Sequence, residues 1–110
     1  MKIEMCNEMV KLREELDKRN IEWEDKSTVE EFFTVYRTHF EYNNCKYSVI
    51  YGFGTYGGLN LSTKSNFKLL ELMSEAVNKG EPVGYLTAEQ VIEIVVNQKT
   101  TKRNNYTVKP

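Results

Sequence analysis

The sequence predicts an α+β domain, and three features carry the prediction. An apolar stripe recurs at helical spacing near the N-terminus, two β-rich runs meet at an Asn-Asn pair, and a capping box opens an apolar run near residue 88. In order, the expected elements are an N-terminal helix, a short strand, a three-stranded antiparallel β-meander and two C-terminal helices packed on one sheet face. The chain of 110 residues is long enough for one domain, expected over 1–98 and followed by a basic tail at 99–110.

Met5, Met9, Leu12 and Leu16 share one stripe with Cys6 and Val10 beside it, which predicts a helix over 3–19. Glu4, Glu8, Lys11, Glu14, Glu15 and Lys18 cover its other sides, with Glu14 and Lys18 at a favourable four-residue spacing. Ile21 to Glu24 alternates apolar and acidic residues and suits a short strand. Asp25 to Thr28 reads as a turn, with Ser27 or Thr28 capping a brief helical turn through Glu30 and Glu31.

The hairpin is the sharpest expectation. Strands at 34–42 and 45–52 meet at Asn43-Asn44, a pair that tolerates the positive φ angles of a type I′ turn. The turn sets a register in which Glu41 faces Lys46, His39 faces Ser48, Arg37 faces Ile50 and Tyr36 faces Tyr51, so opposite charges meet. One sheet face then carries Tyr36, Thr38, Phe40, Tyr42, Tyr47, Val49 and Tyr51. The other carries Arg37, His39, Glu41, Lys46 and Ser48.

Alternation at Leu59 to Ser62 predicts the third strand of the meander. Phe67, Leu69, Leu70, Leu72, Met73, Ala76 and Val77 form a wide apolar face that predicts a helix over 66–79, capped by Ser65 and ended by Gly80. Glu81 to Gly84 turns the chain; the β-branched run Val91 to Val96 suits a strand as well, but Thr87 with Gln90 fits a capping box that opens a helix over 88–98.

Charge is uneven along the chain. Residues 1–31 hold ten acids and six bases, whereas 99–110 hold four bases and no acid, within a net charge of −1. That near-neutral balance argues against a strongly basic nucleic-acid coater, although a basic tail can contact nucleic acid or an acidic protein. No apolar run approaches the roughly 18 residues that span a bilayer, and no membrane association or secretion signal is expected. Cys6 and Cys45 lie far apart without metal spacing and read as reduced thiols of a cytoplasmic protein.

Catalytic chemistry finds little support. His39 is the one histidine, no Asp lies near it in sequence, and Gly-x-Ser-x-Gly is absent. Arg37 with His39 could act as an acid/base pair with an anion clamp, but a solvated strand face accounts for both residues as well. No catalytic residue, metal ligand or cofactor is expected. Gly52-Phe53-Gly54-Thr55-Tyr56-Gly57-Gly58 is the main binding candidate, because glycines expose backbone N–H groups and Phe53 and Tyr56 can stack on a base. It matches neither a dinucleotide fingerprint nor a phosphate-binding P-loop, and its glycines could equally serve turn geometry alone. The candidate ligand site comprises Arg37, His39, Ser48, Tyr51, Phe53, Gly54, Thr55, Tyr56, Gly57 and Gly58.

Three stretches taken together show a resemblance: Ile21-Glu-Trp-Glu-Asp-Lys-Ser27, Arg37 through Ser48-Val-Ile-Tyr-Gly-Phe-Gly-Thr-Tyr-Gly-Gly58, and Leu69-Leu-Glu-Leu-Met73 leading to Gly84-Tyr-Leu-Thr-Ala-Glu89. The whole pattern, over residues 5–97, resembles small uncharacterised accessory proteins of phages and prophages of Gram-positive bacteria. It implies a non-enzymatic binding protein inside an infected bacterium that counteracts a defence system. The expected partner is a small anionic, nucleotide-derived signal that the protein sequesters, with Arg37 on phosphate. The alternatives are occlusion of a host defence protein or a small nucleic-acid-associated regulator. The aromatic sheet face could support a homodimer or higher homo-oligomer.

Overall fold

In the structure, a computed structural model that describes residues 3–98, the N-terminal stripe forms helix α1 over Asn7–Lys18. The helix is shorter than expected at its start, where Cys6 is extended and offers no side-chain cap. Its end is tied off by Asn20 at φ 60°, with the Asn20 N–H donating to Asp17 O and the Ile21 N–H to Leu16 O. That Schellman arrangement satisfies the last carbonyls and turns the chain sharply back.

The chain then runs up and down three times. Strands β1 (Trp23–Asp25) and β2 (Thr28–Glu30) pair with β3 (Phe33–Tyr42), which pairs with β4 (Cys45–Gly52), all antiparallel. One register runs through β1 and β2. Between them the Ser27 hydroxyl, in place of a carbonyl, accepts the Arg37 N–H at 2.9 Å. The expected helical turn at 30–31 is instead a tight hairpin turn through Glu31 and Phe32, because β3 offers the preceding residues a ladder to pair with. At the other turn Asn43 and Asn44 adopt φ 52° and 67°, and every β3–β4 partner named above lies where the Asn-Asn turn requires.

The second half departs from expectation. Leu59–Asn60 (β5) forms only a two-stranded ribbon with Ser65–Asn66 (β6), so the meander's third strand is the 23–30 segment and not 59–62. The predicted helix over 66–79 does not form: Leu70–Met73 is strand β7 on the free edge of β4, with Leu72 opposite Val49. Val83–Leu86 is strand β8, pairing with β7 where a turn was expected. Leu, Glu and Met favour helices, yet a short apolar run does not distinguish helix from strand by period alone. Here Leu70 and Leu72 alternate inward at full burial, Phe67 is left exposed, and Asn78, Lys79 and Gly80 take φ of 53°, 57° and 86°. Those left-handed angles end any right-handed helix. The described residues therefore hold one C-terminal helix, α2 (Ala88–Val96), whose Thr87–Gln90 capping box is present as expected. The 99–110 tail lies outside the described residues.

Both helices pack on the same sheet face. Met9, Leu12 and Leu16 of α1 and Val91, Ile92 and Val95 of α2 join Phe40, Tyr47, Val49, Tyr51, Leu70 and Leu72 in one core. Each such aliphatic side chain, fully buried, contributes roughly 1.5–3 kcal/mol. Arg13 fastens the sheet edge: Nε donates to Thr38 Oγ1 at 2.8 Å, Nη2 to Asp25 Oδ1 at 3.2 Å, and the guanidinium lies 4.6 Å from the centre of the Trp23 ring. Glu8 Oε1 accepts the Ala88 N–H at 2.8 Å, so a carboxylate from α1 meets the positive N-terminus of α2.

Candidate functional site

Strand alternation divides the candidate residues between two faces. Thr38 touches Arg13 and Met9 of α1, so the even-numbered residues of β3 look at the helices and the odd-numbered ones look away. On the uncovered face stand Phe33, Val35, Arg37, His39 and Glu41, with Gly52, Ile50, Ser48 and Lys46 opposite the last four. Glu24 adjoins His39 from β1, and Met73 and Glu71 extend the rows on β7.

Of the predicted ligand residues, Arg37, His39 and Ser48 therefore lie together. Arg37 Nη1 donates to Lys26 O at 3.3 Å and remains half-buried. Burial, and next the charges of Arg37 and Lys26, hold the His39 imidazole below its ordinary pKa, against an opposing pull from Glu24. A neutral imidazole beside a hydroxyl and a guanidinium can donate, accept and pair with an anion.

Tyr51 is elsewhere. It lies on the helix-covered face at 2% exposure, and its hydroxyl accepts from Asn66 Nδ2 at 2.8 Å. The glycine loop folds back on the sheet, and its amides are committed inside the protein. Phe53 N–H donates to Thr34 O, Gly54 N–H to Leu59 O, Gly58 N–H to Thr55 O, and Gly52 N–H to Thr55 Oγ1. The Tyr56 N–H donates to Glu71 Oε1 at 2.7 Å. Gly57, at φ 103°, packs on Leu69 and on the Tyr85 backbone, an approach and a torsion that a side chain would obstruct.

The loop's aromatic residues belong to a larger grouping that sequence spacing does not reveal. β3 starts, β4 ends, β7 starts and β8 ends at the same end of the sheet, since Val35 pairs with Gly52, Ile50 with Glu71 and Leu70 with Leu86. Phe32 (80% exposed), Phe33 (50%), Tyr56 (54%), Phe67 (60%) and Tyr85 (56%) lie in the strand ends and connections at that end. Phe33 and Phe53 have ring centres 6.2 Å apart, and Phe67 meets Tyr85 edge-on at 5.6 Å. Five exposed aromatic side chains at one end of a sheet offer large apolar area to a partner. Phe32 gives a weak sequence signal, because it follows two acids, Glu30 and Glu31. Phe67 and Tyr85 give none, because helical spacing puts Phe67 in an apolar face and Tyr85 follows a Pro-Val-Gly turn pattern.

Among the described residues, no three His, Cys, Asp or Glu side chains gather as a metal site needs, and no helix is long and apolar enough to cross a membrane. No family model, curated protein or solved structure matches the chain.

Proposed function

We propose that this chain is a non-enzymatic binding protein that docks a protein partner through its aromatic end. The observation that carries this reading is the set of exposed Phe32, Phe33, Tyr56, Phe67 and Tyr85 at one end of a sheet whose helices α1 and α2 pack on the opposite face. Aromatic side chains are the commonest anchors of protein interfaces, and they present large area for little rotamer entropy. The open, unenclosed surface suits a folded partner better than a small molecule, which gains affinity by being surrounded. The phage-protein resemblance makes a bacterial defence protein the expected partner, occluded by contact.

A second reading is kept for one reason: Arg37, His39 and Ser48 adjoin on the open face and could hold the phosphate of a nucleotide-derived signal. The test separates the two. A partner identified from bacterial lysate is purified, and its affinity is measured for the native chain, for Phe32→Ser with Phe67→Ser, and for Arg37→Ala. Docking through the aromatic end expects a loss of about thirtyfold or more in the aromatic variant and little change in Arg37→Ala. Equal binding by the aromatic variant rejects the reading. A nucleotide-induced rise in melting temperature that Arg37→Ala abolishes would move the function to the polar face.

A further inference from the structure

We infer that Glu71 is the positioning residue of the aromatic end, an internal carboxylate that holds the glycine loop in its docking arrangement; this rests on the docking function proposed above. Glu71 is only 7% exposed, on a face that no helix covers, and no ion pair accompanies it among the described residues. Among the described residues, the hydrogen-bond partner of its side chain is the Tyr56 N–H, at 2.7 Å. A buried carboxylate on a backbone amide is a strong contact and is costly to leave unmade.

From Tyr56 the constraint passes outward through backbone. Tyr56 O accepts the Tyr85 N–H at 3.2 Å, and Gly57 O accepts the Leu69 N–H at 3.0 Å. Gly84 lies so close that a Cβ there would collide with Tyr56 Cβ and come within 2.9 Å of its carbonyl oxygen. Tyr85 is held at φ 61°, an angle that aromatic residues rarely adopt, and its ring packs edge-on against Phe67. Glu71 thus orients Tyr56 directly, and Tyr85 and Phe67 through it. In effect the loop has a carboxylate-binding position, and the protein's own side chain fills it.

The test uses the whole chain and reads amide hydrogen exchange with the Phe67–Tyr85 ring contact by NMR. Glu71→Leu removes the acceptor, and Glu71→Gln keeps one. Expected for Glu71→Leu is loss of protection at Tyr56 and Tyr85 by about tenfold or more, with Val49 and Leu72 unchanged and with Glu71→Gln restoring the native pattern. Should Glu71→Leu not fold, Glu71→Ala titrated with acetate replaces it, and acetate is expected to return protection to Tyr56. Native protection in Glu71→Leu, or no response of Glu71→Ala to acetate, overturns the inference. If Glu71→Leu loosens the loop while partner affinity stays native, the inference stands and the docking function fails.

Discussion

The two faces of the sheet are built from alternate residues of the same strands yet differ in what covers them. On the covered face Thr38, Phe40, Tyr47, Val49, Tyr51, Leu70 and Leu72 are all buried beneath two helices. On the other face their immediate neighbours Arg37, His39, Ser48, Ile50 and Met73 keep contact with water, and the face ends in exposed aromatic rings. A strand reverses side-chain direction at every residue, so one segment can carry stability on one side and recognition on the other. The face with two helices on it has its partners inside the chain. The face without them is the one on which the proposed partner would dock.

This contrast can be broken or sharpened by substitution. The largest effect is expected from Leu72→Ala, which empties a fully buried site between β4 and the helices. A loss of about 2–5 kcal/mol by urea unfolding is expected, a large part of a typical domain's stability. A loss below 1 kcal/mol would show that the covered face is not the stabilising one. Next is Gly84→Ala, whose new methyl has no space beside Tyr56. Overpacking there should cost about 1–3 kcal/mol and disturb the Tyr56 and Tyr85 amide signals while leaving those of α1 in place.

Tyr47→Phe runs the other way. Among the described residues the buried Tyr47 hydroxyl has no hydrogen-bond partner, and burial, then the neighbouring Cys45, pushes its pKa well above the ordinary tyrosine value. Removing an unsatisfied buried hydroxyl should leave stability unchanged or raise it by up to about 1 kcal/mol, so a clear loss would reveal a contact the structure does not contain. Phe32→Ser, at an 80% exposed position, should change unfolding stability by less than about 0.5 kcal/mol while weakening partner binding. Those two readouts moving together would end the division of labour between faces.

The smallest effect is a slope. The folded pKa of His39 lies below its free value because burial and then the Arg37 charge disfavour the imidazolium. A neutral histidine in the folded state contributes stability that is present above the free value of about 6.5 and lost as pH falls from there through the folded pKa. His39→Gln should therefore flatten the unfolding midpoint against pH in that window, and an unchanged slope would mean that another group titrates there.

Legibility followed sequence distance. The β3–β4 hairpin was readable because Asn43-Asn44 sets the turn and the turn sets each cross-strand pair, including Glu41 with Lys46. The α2 start was readable because Thr87 and Gln90 cap within one turn. Arg37, His39 and Ser48 could be grouped for the same reason. The glycine loop could not be placed, since its position depends on Glu71, Gly84 and Tyr85, all far along the chain. Strand alternation places Tyr51 on the apolar face, and there it is buried and bonded to Asn66, apart from Arg37, His39 and Ser48.

The sequence by itself determined the α2 start and the β3–β4 register, because each rests on contacts within a turn or across one hairpin, and the apolar stripe placed α1. Only the tertiary structure decided that 70–73 is a strand, that 83–86 extends the sheet, and that five exposed aromatic residues share one end. The Leu70 and Leu72 side chains could be buried by a helix or by a strand. The unpaired edge of β4 supplied backbone partners for the strand, and local pattern does not encode which distant edge stands open.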